Sequence, residues 1–393
     1  MKMIYGVLFY SGGLLPGVDE FIAIPAFLCY NHQPEVMYTM ELTDIFLLYN
    51  AHPPLDYEIK DTSHGASDFR QAIIVDWGAE KRVIKITCNA FTTAHRVEGW
   101  RQTIEAYRAL GYYCPRIVPS RTGSISETLE YNGRQCVVFA EEFSIYQTAE
   151  QFGRERTRKN GRYIFHDDAI RMTARAAAAR LDCADYPSAW CILECFDPSE
   201  PDDEVMECAL GFKKIMDEEV SRYQERFQRI WDTFLENKER LSRVYRDLPT
   251  SVFQADPNDS NILLDCDLRF MGVLDFNISG RETVLNMLFR DAFINFDEEI
   301  PEEAENNRFY VEGISERNFA IFTENLLLAK EIYPFTQAEI EAAPMLYRYL
   351  RPFWWYTLHA LARDKGDLSK VDRILSWIEN EQTREIDFQR ILA

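Results

Sequence analysis

Three residues late in the chain have the types and spacing to hold a hard cation and accept a proton. Asp256 and Asn261 lie five positions apart, and Asp275 follows fourteen positions after Asn261. Pro257 and Ser260 keep the segment between the first two out of regular helix or strand. Ile262–Leu264 reads as a short apolar strand, Asp267 as part of a turn, and Met271–Leu274 as the returning strand, with Asp275 at its end. Such a hairpin brings Asn261 and Asp275 to one rim, with Asp256 one loop away. An amide oxygen and a carboxylate suit a hard ion such as Mg2+, which takes few protein ligands and completes its shell with water and phosphate. A further carboxylate nearby can accept the proton of an attacking hydroxyl.

Two kinds of element position this rim. From about 57 to 143 the signals are those of strands. Gln71–Asp76 and Arg82–Thr87 are β-rich runs joined by the turn residues Trp77–Glu80, and Ile125–Tyr131 and Cys136–Phe139 flank Asn132-Gly133, a strong hairpin signal. Between the pairs, Val97, Trp100, Ile104, Tyr107 and Leu110 recur at helical spacing and Gly111 stops the run. From about 145 onward the chain reads as helical, with a long apolar stripe from Met216 to Val244, a capping box at Thr336–Glu339, and the β-rich island of Val252–Phe276 in between. No repeat of fixed period is present. The expected fold class is therefore α+β: a small antiparallel sheet with one helix, followed by a larger, mostly helical part.

The combination Asp256-x4-Asn261, the strand after it, and Val273-Leu-Asp275-Phe276 resembles the aminoglycoside phosphotransferase and choline kinase family, which has a two-lobed protein-kinase-like fold. The lead-in Asp247–Phe253 resembles the family's as well. The resemblance implies ATP and Mg2+ as cofactors. It makes Asp256 the catalytic base and gives the metal to Asn261 and Asp275. It also makes Lys85, in Val83–Ile86, the candidate for the nucleotide phosphates, covered by the loop at Gly65 and Ser67. A helix glutamate should accompany the lysine; Glu98 is favoured and Glu105 is the runner-up. The strand end Ala140–Phe143, including Glu142, falls where the family reads adenine through its backbone. Asp291 matches a residue that braces the catalytic loop.

One position departs from the pattern. The family's His-Gly before the catalytic Asp is Gln254-Ala255 here. A glutamine amide can still hydrogen-bond, so phosphoryl transfer to a small-molecule hydroxyl is the expected function. The alternative is a catalytically degenerate nucleotide-binding or regulatory protein. No Ala-Pro-Glu segment follows Asp275, which disfavours a protein kinase, and no Gly-x4-Gly-Lys-Ser/Thr run is present, which disfavours the P-loop class.

The 393 residues resolve into an N-terminal extension over 1–36 (or a start-site artefact, with Met37 or Met40 the alternative start), a nucleotide-binding lobe over 37–143, and a catalytic and acceptor-binding lobe over 144–393. The net charge of −21 opposes nucleic-acid and anionic-membrane partners and suits a cationic acceptor. Acceptors resembling aminoglycosides, choline or homoserine all stay open; the aromatic run Tyr347–Tyr356 reads first as core, with a box for a cation as the alternative. Nine scattered cysteines point to free thiols in a reducing, cytoplasmic setting, and Cys191-x3-Cys195 lacks the partners of a zinc site. Oligomeric state is open.

Overall fold

The structure is a computed structural model, which describes residues 40–63, 65, 67–159, 162–192, 204–294, 309–310 and 312–393. The extension expected over 1–36, Cys195 and most of the two acidic stretches Asp197–Glu207 and Asp297–Glu305 lie outside these residues. The chain divides into two compact units. The first runs to Glu98 and adds Arg116–Phe143, and the second combines Gly99–Pro115 with Ser144–Ala393.

The first unit contains α1 (Leu42–Tyr49), β1 (Asp56–Asp61), β2 (Phe69–Asp76), β3 (Lys81–Cys88), the start of α2 (Ala94–Ala109), β4 (Ile117–Val118), β5 (Glu127–Tyr131) and β6 (Arg134–Glu142). The strands form one antiparallel sheet in the order β1-β2-β3-β6-β4, with β5 also paired to β6. Alternation sends Ile73, Val75, Ile84, Ile86 and Val138 to one face, where they pack with Ile45, Phe46 and Tyr49 of α1. The Asn132-Gly133 turn has φ of 51° and 71°, the left-handed pair that a two-residue hairpin of this twist needs.

The second unit holds the end of α2. It continues with β7 (Gln147–Thr148), α3 (Ala149–Phe152), α4 (Arg154–Thr157), β8 (Arg158–Lys159), β9 (Arg162–Tyr163), α5 (His166–Ala179), α6 (Glu204–Glu219) and α7 (Gln224–Tyr245). Then come β10 (Thr250–Phe253), β11 (Ile262–Leu264), β12 (Phe270–Val273), β13 (Gly280–Thr283), α8 (Val284–Ile294), α9 (Glu312–Lys330), α10 (Gln337–Leu350), α11 (Trp355–Asp364), α12 (Leu368–Thr383) and α13 (Phe388–Leu392). The apolar stripe from Met216 to Val244 is not one helix. A 3-10 turn at Ser221–Tyr223 separates α6 from α7, and the Gln224 side chain caps the Met216 carbonyl at 3.0 Å. The capping box forms, with Thr336 Oγ1 accepting from Glu339 N.

Residues 99–115, grouped by sequence with 37–143, are counted with the second unit because their tyrosines pack on its β-island. Tyr107 lies edge-on to Phe276 at 5.5 Å, Tyr112 edge-on to Phe270 at 6.0 Å, and Tyr113 N donates to Met271 O at 2.8 Å. Gly272 permits the last approach: a Cβ there would lie 1.9 Å from Tyr113 O. No helix among the described residues is long and apolar enough to cross a membrane.

Candidate active site

The hairpin read from sequence exists: β11 pairs with β12, and Leu274 N donates to Asn261 O at 2.9 Å, which closes the rim where Asn261 and Asp275 stand. On its other edge β11 pairs with β7. Asp256 precedes this hairpin in a loop wound on its own side chains. Asn258 Nδ2 donates to Asp256 Oδ1 at 2.7 Å, and Asn261 Nδ2 donates to Asp256 Oδ2 at 2.9 Å and to its carbonyl at 3.0 Å. Burial pushes the Asp256 carboxyl up to about 7; the charge of Asp275 adds to the rise and the two asparagine hydrogen bonds oppose it.

The Asn261 amide is oriented by these contacts. Its nitrogen faces two acceptors of Asp256, so its Oδ1 is the atom left for a ligand. Among the described residues no group of three or more His, Cys, Asp or Glu side chains could hold a metal. The donor set expected from the sequence, the Asn261 amide oxygen and the Asp275 carboxylate, is sparse and all-oxygen. That fits an ion which draws most of its shell from water and phosphate, and it does not fit zinc.

Gln254, the departure from the family pattern, is buried and fully engaged. Its Nε2 donates to the carbonyls of Asp275 at 2.8 Å, Leu274 at 3.1 Å and Asp256 at 3.3 Å, while its Oε1 accepts from Asp256 N at 2.8 Å. One side chain thus ties the Asp256 loop to the Asp275 strand end. Its own backbone N–H donates to Tyr107 Oη at 2.9 Å. Ala255 and Asp275 both adopt left-handed backbone, with φ of 71° and 59°. For alanine this conformation costs on the order of 1–2 kcal/mol. A residue not singled out by sequence secures it: the Trp190 indole N–H donates to Ala255 O. Trp190 is itself fixed, since its carbonyl accepts from Asn286 Nδ2 at 2.9 Å and the Arg290 guanidinium lies 4.7 Å over its ring.

Lys85 sits on β3 opposite Phe139, and its Nζ pairs with Glu141 Oε1 at 3.1 Å. Glu141 was not foreseen. The diagonal to Lys85 across an antiparallel pair falls two residues past Phe139, which is the signal that would have found it. Glu98 lies half-buried on α2 where the first unit ends, and Glu105 falls in the second unit. Gly65 takes φ of 76°, with open space where a side chain would start, and Ser67 is exposed. The buried Asp68 anchors this loop by accepting from Arg70 Nε at 2.7 Å and Asn89 Nδ2 at 2.9 Å. At the end of β6, Glu142 N donates to Arg116 O at 2.8 Å, and its carboxylate accepts from Arg116 N at 3.1 Å.

Two further expectations resolve on packing. The aromatic run Tyr347–Tyr356 is core: Tyr347, Phe353, Trp354 and Tyr356 are buried, and the cation they hold is the chain's own Arg351, over Tyr356 at 5.2 Å and Trp377 at 5.1 Å. The run is therefore not a box for an acceptor. Asp291 is buried on α8, raised by that burial to about 7, with Thr173 as a hydrogen-bond partner.

The sequence matches no protein-family description and no curated protein. The structure does have counterparts. A microcompartment-associated aminopropanol kinase superposes with a TM-score of 0.51 at 13% identity, over 87% of this chain and 98% of its own. An amicoumacin kinase in complex with AMP-PNP, Ca2+ and Ami also gives 0.51 at 13% identity, over 89% of this chain and 95% of its own. The expected fold class is thereby confirmed: an antiparallel-sheet part followed by a helical part, the fold of these two kinases.

Proposed function

We propose that the protein is an ATP- and Mg2+-dependent phosphotransferase acting on a hydroxyl of a small molecule. The observation that carries this reading is the closed hydrogen-bonded set of Asp256, Asn258, Asn261 and Gln254, joined to Asp275. It fixes one carboxylate and one amide oxygen at the rim of a hairpin, in a fold shared with two kinases, one of which binds a nucleotide analogue with a divalent ion.

In this reading Asp256 accepts the proton of the acceptor hydroxyl. The hydroxyl oxygen bonds to the γ-phosphorus, the bond to the β–γ bridging oxygen breaks, and ADP leaves. A carboxyl raised toward neutrality is matched to that task. Asn261 and Asp275 hold the Mg2+, which when bound offsets charge on the phosphates. Lys85, steadied by Glu141, takes the α- and β-phosphates. Gly65 and Ser67 cover the phosphates, Glu98 supports Lys85, and the strand end at Glu142 meets the base. The degenerate alternative was motivated by Gln254, and the four hydrogen bonds of that residue supply the bracing its substitution put in question.

A transfer assay over a panel of hydroxyl compounds tests the reading with the wild type and Asp256→Asn. The expected outcome is a loss of turnover of about 10²–10⁴-fold, with AMP-PNP still raising the melting temperature of both proteins. Equal transfer by both would overturn the role of Asp256, and nucleotide stabilisation without turnover on any acceptor would select the degenerate alternative.

A further inference from the structure

The charge of the whole chain hides a local reversal. Between positions 154 and 162 stand Arg154, Arg156, Arg158, Lys159 and Arg162 against the single acid Glu155, in a chain of net charge −21. These cations occupy α4, β8 and β9, and they are stitched to the Asp256 loop from both ends. Upstream, Thr148 and Gln147 pair with Leu263 and Leu264, and Glu150 N donates to Asp259 O at 2.9 Å. Downstream, Tyr163 Oη donates to Asp259 Oδ2 at 2.9 Å. Asp259 lies between Asp256 and Asn261, so the basic hairpin is tied directly to the residues assigned to chemistry.

The arginines are also oriented. Arg158 stacks over the Tyr163 ring at 4.4 Å and donates to Tyr163 Oη at 3.0 Å, and Tyr163 in turn stacks on Phe165 at 4.7 Å. Arg156 stacks over Phe152 at 5.1 Å and is exposed, as is Arg154. Of the acids on the elements around the hairpin, Asp259 accepts from Tyr163 Oη at 2.9 Å, Asp167 pairs with Arg162 at 3.2 Å and Asp168 with Arg171 at 3.4 Å. Stacked guanidinium groups present planar forks that suit carboxylate or phosphate oxygens. Fields of distant surface acids fade over a Debye length of about 10 Å, so the local cluster and not the chain total governs what is held here.

We propose that this hairpin is the acceptor side of the site, and that the acceptor is an alcohol carrying a phosphate or carboxylate group clasped by Arg156 and Arg158. The inference rests on the phosphotransferase reading above and replaces the cationic acceptor suggested by composition. The anionic group stays unchanged through the reaction: the proton of the hydroxyl passes to Asp256, the new P–O bond forms on that oxygen, and ADP carries away the broken bond's electrons.

Calorimetric binding to the full chain, with AMP-PNP and Mg2+ present, tests it. The probes are glycerol 3-phosphate and glycerate as anionic alcohols, glycerol as the neutral reference and choline as the cationic one. The expected result is that at least one anionic probe binds about tenfold or more tighter than glycerol and choline. That margin should shrink with added salt and be lost in Arg156→Gln/Arg158→Met, while AMP-PNP affinity is unchanged. Arg156 is exposed, so Arg156→Gln alone carries the test if the double variant does not fold. Choline or glycerol binding as tightly as the tighter of the two anions, or a margin that survives both variants, overturns the proposal. An arginine-dependent margin in a protein that transfers no phosphate would support the anion site and sink the kinase reading instead.

Discussion

The loops at Gly65 and at Asp256 are held in opposite ways. Around Gly65 the bonds among the described residues are mostly local in sequence: Thr62 N on Arg70 O at 3.0 Å, Ser63 Oγ with the Arg70 backbone, Ser63 N on Asp61 Oδ1 at 2.9 Å, Asp68 N on Gly65 O at 3.4 Å, and Asp68 on Arg70 and Asn89. The space beside the glycine itself is open. Around Asp256 nearly every polar group is committed, to partners as distant in sequence as Tyr107 and Trp190. A group that must accept a proton gains from being fixed before the substrate arrives, because the ordering cost is then met on folding. A loop proposed to cover phosphates would gain from leaving part of its ordering to the ligand. If that contrast is right, substitutions in the Asp256 frame should be felt in stability as well as turnover, and those at Gly65 mainly in nucleotide affinity.

The largest effect is expected at Gly272. Alanine there drives a Cβ into Tyr113 O and must displace backbone, so Gly272→Ala should cost more than about 4 kcal/mol. At about 2–4 °C per kcal/mol, thermal unfolding should shift by about 10 °C or more. A shift within experimental error would show that the frame yields. Next comes Gln254→Ala, which leaves Asp256 N and the Leu274 and Asp275 carbonyls without their partner. A loss of about 2–4 kcal/mol in denaturant titrations is expected, with kcat falling more than the nucleotide KM rises. Gln254→His should recover part of both.

Ala255→Gly should move the other way. Relief of the left-handed cost, about 1–2 kcal/mol, outweighs the added freedom of glycine in the unfolded chain, about 0.4–1 kcal/mol. A gain of about 0.5–1 kcal/mol should therefore appear as a higher urea midpoint at unchanged slope. The smallest effect is expected for Gly65→Ala, which meets no neighbour but holds φ of 76°. It should cost about 1 kcal/mol or less globally and show itself in weaker AMP-PNP binding. Global destabilisation there equal to that of Gln254→Ala would erase the distinction between the two loops.

Features of short range were legible in the sequence. The Asn132-Gly133 hairpin, the Thr336–Glu339 capping box, the Lys85 strand and the Asp256–Asn261–Asp275 spacing each depend on a few neighbouring residues whose preferences agree. What was not legible depends on distant parts of the chain meeting. Trp190 reaches Ala255 across 65 positions and Gln254 reaches Asp275 across 21. Glu141 pairs with Lys85 only through the strand register. The aromatic run at Tyr347–Tyr356 reads more readily as core than as a ligand box, and the structure shows what the sequence could not, that its cation is the chain's own Arg351. The basic hairpin was diluted in a total charge summed over the whole molecule. Composition averages over surface that a bound molecule never meets.

The Trp190 indole, laid against Arg290 and bonded to Ala255 O, makes the Asp256 loop observable from behind. Its N–H should resist exchange with deuterium for as long as the loop keeps its shape. Its indole resonance should respond to any rearrangement at Ala255, although no probe has touched Asp256 or Asn261. The fold thus contains a built-in gauge: one indole N–H resonance reporting whether the loop is set, readable before any acceptor has been found.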